Sequence, residues 1–230
     1  VLDIFPDHLD SHKNMKEYVA AKANVAKFQK KSDSVFYFKD NPISKAVAQK
    51  SSGAKIGFDG GPLGLKKNFL MAASVGAYFD CPPEKIFKTI ENFRGLEHRL
   101  EFVAEKSGVR FYNDSASTNP QTAAAAIRFF SESIALIAGG KDKNLDYKPL
   151  AEAVKESNVK KVLLFGENKM KIKKALPTAE LCDDLKEAVR LAVKSKSEIV
   201  LFSPAAASFD MFRDYTDRGN QFKKIVSLIP

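Results

Sequence analysis

VRFYNDSASTNPQTAAAAIRFFSESIALIAGG, residues 109–140, holds a β-rich run, a helix and a second apolar run, packed into about 30 residues, the span of one strand–helix–strand unit. Asn119-Pro120 marks where the helix starts. Asn is a good N-cap, and proline at the first helical position loses an N–H that would have no partner there anyway. The alternation continues outward: a helix from Pro149, strand KVLLFG, a helix to Ala175, strand AELC, a helix from Asp184, strand EIVLFS and a final helix from Gly219. That period predicts a parallel, doubly wound sheet, whose ligands sit beyond the carboxyl ends of its strands. Those ends are polar: Asn113 to Asn119 after the first strand, Gly139-Gly140-Lys141-Asp142-Lys143 after the second, and Ser203 to Ser208 after the last. Three loops with Asp, Lys and Ser at one sheet edge suit an anionic ligand.

Upstream the pattern is α/β but incomplete. VLDIF reads as the end of a buried strand, so the chain is expected to start within a domain. Residues 14–30 predict one amphipathic helix, with Met15, Tyr18, Val19, Val25 and Phe28 at helical spacing and Lys22 on the same stripe. Strand SVFYF, a helix over 41–49, strand AKIGFD, the glycine-rich turn 60–64 and helices over 68–79 and 84–93 follow. A boundary between 100 and 101 divides a partial α/β domain, 1–100, from a Rossmann-like doubly wound domain, 101–230.

The 230 residues are 44% hydrophobic and 28% charged, ordinary values for a globular protein. No apolar run reaches the roughly 18 residues that would span a bilayer, so no membrane association is expected. The net charge of +9 is divided +5 and +4 between residues 1–100 and 101–230. Its densest clusters lack interleaved aromatics, so no nucleic-acid partner is expected. Two distant cysteines and three histidines exclude a Cys/His zinc site and suit reduced thiols in a cytoplasm. Neither G-x-x-x-x-G-K-[ST] nor G-x-G-x-x-G occurs.

Individual residues carry chemistry in different degrees. His8, between Asp7 and Asp10 in PDHLD, places an imidazole among carboxylates. Mg²⁺ prefers oxygen ligands, so a turn histidine is the simpler reading. A lysine on an apolar helix face, as Lys22 is expected to be, either snorkels to water or, if desolvated, becomes neutral enough to add carbon dioxide as a carbamate. Asp114 suits a nucleotide ribose or a metal, and Lys143 a carboxylate. Ser203 and Ser208 bracket a proline and three alanines, small residues that let a ligand approach the backbone. Only His98 lies beyond residue 12, which argues against a Ser-His-Asp hydrolase.

Taken together these segments resemble the Mur ligase family, most closely its D-glutamate-adding members, over essentially the whole chain. PDHLD followed by Glu17-Tyr18-Val19-Ala20-Ala21-Lys22 is similar to the back part of the family's central ATPase domain. FRGLEHRLE at 93–101 is similar to the hinge between domains, NDSASTN at 113–119 to the first loop of the C-terminal domain, and GGKDKN and SPAAASFDMFRDYTDRGNQF to its later loops. The resemblance implies an amide ligase that uses ATP and Mg²⁺, with His8 and carbamylated Lys22 as catalytic metal ligands. It implies Asn68, Arg99 and Asp114 at the nucleotide, and Thr118, Lys143, Ser208 and Tyr215 at the amino acid. UDP-N-acetylmuramoyl-L-alanine and D-glutamate are the implied substrates, in peptidoglycan precursor synthesis, with a cytoplasmic monomer expected. Three positions depart from the pattern: Ala116 stands where Lys is usual, Tyr215 where Phe is usual, and Met71 where an adenine-contacting Asn is usual. Another amide ligase of the same superfamily and a non-catalytic Rossmann-like binding module are the alternatives. The phosphate loop is absent from these residues, so the 230-residue chain alone is expected to be inactive.

Overall fold

The computed structural model describes residues 1–7, 11–60 and 65–230. It separates into two compact units, Val1–Arg94 and Gly95–Pro230. In the first, helices α1 (Met15–Lys22) and α2 (Asn24–Lys27) precede strand β1 (Ser34–Phe38), helix α3 (Pro42–Ala48), strand β2 (Ala54–Phe58) and helices α4 (Leu65–Tyr78) and α5 (Pro83–Glu91). Strands β1 and β2 pair in parallel from Ser34 opposite Ala54 to Phe38 opposite Phe58. Asn41 caps α3 by accepting a hydrogen bond from the Ser44 amide, with Pro42 just inside the helix.

The single helix expected over 14–30 is two short ones meeting at Ala23, and of the expected apolar stripe only Tyr18 is buried, together with Ala23 and Ala26. Val25 is 61% exposed and Phe28 72%. A buried lysine anchors the unit elsewhere: Lys67 Nζ lies 2.9 Å from Asp3 Oδ1, 3.0 Å from Asp40 Oδ2 and 4.4 Å above the Phe38 ring.

The second unit contains strands β3 (Glu101–Lys106), β4 (Val109–Asn113), β5 (Ile134–Ala138), β6 (Val159–Leu164), β7 (Glu180–Leu181) and β8 (Ile199–Phe202). Its helices are α6 (Pro120–Ile127), α7 (Lys148–Glu156), α8 (Lys169–Ala175), α9 (Leu185–Lys194) and α10 (Tyr215–Ser227). The sheet order is β3-β4-β8-β5-β6-β7. All pairs are parallel except β3 with β4. This antiparallel edge strand was not expected from the sequence: EFVAEK alternates only weakly, and its pairing partner is the neighbouring β4 across a tight turn.

Side-chain alternation divides β5 between two cores. Ile134, Leu136 and Ala138 face one cluster with Ile127 of α6, Leu150 of α7 and Ile172 of α8. Ala135 and Ile137 face the other, with Val189 of α9 and Phe222 and Val226 of α10. Helices therefore cover both faces, as a doubly wound sheet requires. No described helix is long and apolar enough to cross a membrane.

Candidate functional site

Strand β8 lies between β4 and β5, so the three polar loops, distant in sequence, leave the sheet side by side. They are stitched to one another. The Asp114 amide donates to Phe202 O at 2.8 Å, Gly139 N to Pro204 O at 2.8 Å, and Lys141 N to Ala207 O at 2.9 Å. The Gly139-Gly140 pair is what permits the last approach. Both have positive φ, and a Cβ on Gly140 would lie 2.2 Å from Ala207 O.

Asp114 is buried just past the end of β4. Its Oδ2 accepts from Ser203 Oγ at 2.6 Å and its Oδ1 from the Leu100 amide at 3.2 Å. Burial pushes the carboxyl up to about 6, opposed by hydrogen bonds from Ser117, Ser203 and Leu100 and by the charge of Arg99. Arg99 itself is exposed. The structure thus brings together two of the residues expected at a nucleotide, an exposed cation beside a buried carboxylate that still has lone pairs to offer a hydroxyl. The segment holding Arg99 is pinned from both sides: His98 O accepts from the Ala116 amide at 3.0 Å, and Asn113 Nδ2 donates to His98 Nδ1 at 2.9 Å. Gly219 lies against the His98 ring, where a Cβ would come within 2.3 Å of Nδ1.

Of the residues expected at an amino acid, Thr118 is half-buried just before the α6 cap, Lys143 is half-buried in the loop after β5, and Ser208 is buried after β8. Tyr215 is 46% exposed and is the first residue of α10. The sequence places the start of the final helix at Gly219, beyond both Ser208 and Tyr215. Instead the intervening residues form turns, and α10 begins at Tyr215, because Asp214 caps it by accepting from the Asp217 amide at 2.8 Å.

Arg218, which sequence reading passed over, joins these carriers. It is 0% exposed. Its Nε and Nη2 donate to Ser115 Oγ at 3.1 Å and Ser115 O at 2.8 Å, and its Nη1 to Ala207 O at 3.0 Å. Ser115 Oγ in turn donates to Tyr215 O at 2.7 Å. The available signal was a charged residue four places after the cap Asp214, on the inner face of the helix that carries Phe222 and Val226.

The residues expected at the metal are less well placed. His8 lies outside the described residues. Lys22 is exposed, with Nζ 5.3 Å from the Tyr18 ring centroid. Lys22 still follows Tyr18 by one turn of α1, but it is not desolvated there: its side chain stays in solvent with its head over the Tyr18 ring, as the snorkelling alternative has it. Among the described residues no three His, Cys, Asp or Glu side chains form a metal-sized group. Asn68 is exposed on α4, while Met71, three residues on, is buried.

Comparison with known proteins is decisive at the level of family. Residues 1–92 match the Mur ligase middle domain and residues 98–206 the glutamate ligase domain of Mur ligases. The chain belongs to the Mur ligase family. A curated relative from Natranaerobius thermophilus, named UDP-N-acetylmuramoylalanine–D-glutamate ligase, is 36% identical over 267 residues, covering 98% of this chain and 58% of the relative. The chain therefore spans a little under three-fifths of that relative's length. Among solved structures, MurF from Acinetobacter baumannii superposes with a TM-score of 0.73 at 14% identity, covering 96% of this Mur ligase chain and 58% of its own. A bifunctional folylpolyglutamate synthase/dihydrofolate synthase from Yersinia pestis, complexed with AMPPNP and Mn ion, gives 0.66 at 15% identity, covering 96% and 58%. At those identities the two structures share the fold.

Proposed function

We propose that this Mur ligase chain contributes the nucleotide-facing and amino-acid-receiving parts of an ATP-dependent ligase that joins D-glutamate to UDP-N-acetylmuramoyl-L-alanine. The observation that carries the reading is that the loops after β4, β8 and β5, which bear Asp114 and Thr118, Ser208, and Lys143, leave neighbouring strands and are hydrogen-bonded to one another, with the charge of Arg99 acting on Asp114. The curated relative's name supports D-glutamate as the amino acid. The AMPPNP and Mn complex of the Yersinia pestis neighbour supports a nucleotide with a divalent cation, and the family resemblance narrows that cation to Mg²⁺.

In the proposed reaction a phosphoryl group passes from ATP to the substrate carboxylate, giving an acyl phosphate and ADP. The glutamate amine then attacks the acyl carbon, and phosphate leaves with the amide formed and a proton released. Such chemistry is mostly charge positioning and needs no protein nucleophile. In this reading Arg99 holds a phosphate, Asp114 accepts from a ribose hydroxyl, and Lys143, Thr118 and Ser208 satisfy the two carboxylates of glutamate, which would otherwise be desolvated at a cost of several kcal/mol. The family resemblance alone, and not the exposed position of Lys22, carries the proposal that His8 and Lys22, the latter as a carbamate, would hold a divalent cation, which when bound would neutralise phosphate charge. Cytoplasmic location and a monomeric state belong to the same proposal.

The test is Lys143→Ala in a chain carrying this sequence at its relatives' full length. Removing a ground-state contact to glutamate should raise the KM for glutamate about tenfold or more while the KM for ATP changes less than about twofold. Equal changes in both would count against the assignment of Lys143. A preference for L-glutamate would leave the reaction class standing and overturn the named substrate.

A further inference from the structure

A fully buried arginine is costly, and an apolar residue of similar volume often serves stability as well or better. Arg218 nevertheless fills the space between α10 and the strand ends, and its hydrogen-bond acceptors are all neutral: Ser115 Oγ, Ser115 O and Ala207 O. Asp210 acts on it only through space, and the guanidinium, though pulled down by burial to about 9, stays charged at neutral pH. Its three contacts fall on two different loops. A third loop passes close to it, since a Cβ on Gly140 would lie 3.0 Å from Arg218 Nη1. The start of α10 joins through Ser115 Oγ, which accepts from Arg218 Nε and donates to Tyr215 O. One planar fork therefore bonds to two of the segments that carry an expected amino-acid contact, 113–119 with Thr118 and 203–208 with Ser208, lies close to a third, 139–144 with Lys143, and springs from the first turn of α10, where Tyr215 sits.

We propose that Arg218 is the positioning residue of the amino-acid subsite, setting the spacing of these four segments through its guanidinium fork so that a dicarboxylic amino acid is gripped from three loops at once. It does not touch the reacting atoms. The assignment rests on the ligase reading above and adds to it the residue that fixes the subsite's geometry. A lysine keeps the charge but has no fork, and cannot donate in fixed directions to Ser115 and Ala207 together. Ser115→Ala removes one link, the hydroxyl that joins the fork to Tyr215, with little loss of volume.

The experiment measures D-glutamate-dependent phosphate release by the full-length ligase, with ATP and UDP-N-acetylmuramoyl-L-alanine varied separately. Arg218→Lys is expected to raise the KM for D-glutamate about tenfold or more, and Ser115→Ala about threefold or more, with the KM for ATP held within about twofold in both. Should Arg218→Lys fail to fold, Ser115→Ala carries the test alone. Parallel changes in the two KM values, or a loss confined to kcat, would show a general structural role and overturn the assignment. A wild-type enzyme that releases no phosphate with D-glutamate would overturn the ligase reading itself, and this assignment with it.

Discussion

Strand β5 in the second unit has no residue that is not buried, whereas strand β2 in the first has none that is. Among the described residues, the first unit gathers eight buried side chains into its core, several of them alanines. The second builds two clusters, one on each sheet face, around Phe111, Phe165, Phe202 and Phe222 on one side and Leu136, Leu150 and Leu164 on the other. Helix α5 buries none of its residues, and Tyr78, Phe79, Phe87 and Phe93 are all more than 40% exposed. What this teaches is where a site can be built without help. A buried carboxylate such as Asp114 or a buried guanidinium such as Arg218 needs rigid, dry surroundings to hold its partners, and the second unit supplies them. In the first, the expected ligand Lys22 and the expected nucleotide contact Asn68 face solvent.

The comparison is tested most severely by separating the units. Residues 95–230 alone are expected to unfold in one cooperative thermal transition followed by circular dichroism, and residues 1–94 alone to show none, because only the former covers both faces of its sheet. Cooperative unfolding of 1–94 would break the contrast. A start at residue 101 should be less stable than one at 95, since it removes His98 and Leu100 from Asn113 and Asp114.

Within the intact chain, Phe202→Ala is expected to cost about 3–5 kcal/mol, because it empties a fully buried position stacked 4.8 Å from Phe222. Phe87→Ala, at a side chain 64% exposed, should stay within about 0.5 kcal/mol. Urea unfolding of both variants measures the difference, and similar losses would contradict it.

A smaller effect sharpens the comparison at the site. The Asp114 carboxyl titrates at about 6 in the fold against an ordinary 3.8, so folding favours its protonated form. That contribution is complete below pH 3.8 and is lost as pH rises through about 6, a change of about 3 kcal/mol at most. Asp114→Asn, neutral throughout, should flatten this part of the pH profile. Unfolding at pH 4 and pH 7 checks it, and an unchanged slope in the variant would assign the dependence to other groups.

Sequence alone determined what local chemistry can determine. The apolar runs IALIA and IVLF, the helix starts at Asn119-Pro120 and Asp184, and their regular succession announced a wound parallel sheet, since each signal acts within a few residues. The polar strand ends supplied the loops of the candidate site, and the ordered motifs pointed to the Mur ligase family. Some local signals were misread: the cap at Asp214 moves the start of α10 to Tyr215, and the small residues Ala23 and Ala26 take the buried face that the larger Val25 and Phe28 were expected to hold. The antiparallel β3, the insertion of β8 that makes the three loops immediate neighbours, and the role of Arg218 were decided only by tertiary structure. Each depends on partners across the sheet: β8 inserts between β4 and β5, and the guanidinium finds its acceptors 11 and 103 residues away. No periodicity encodes a contact at that separation. It exists only when the packed sheet makes burying the charge, with its hydrogen bonds, less costly than leaving the loops unjoined.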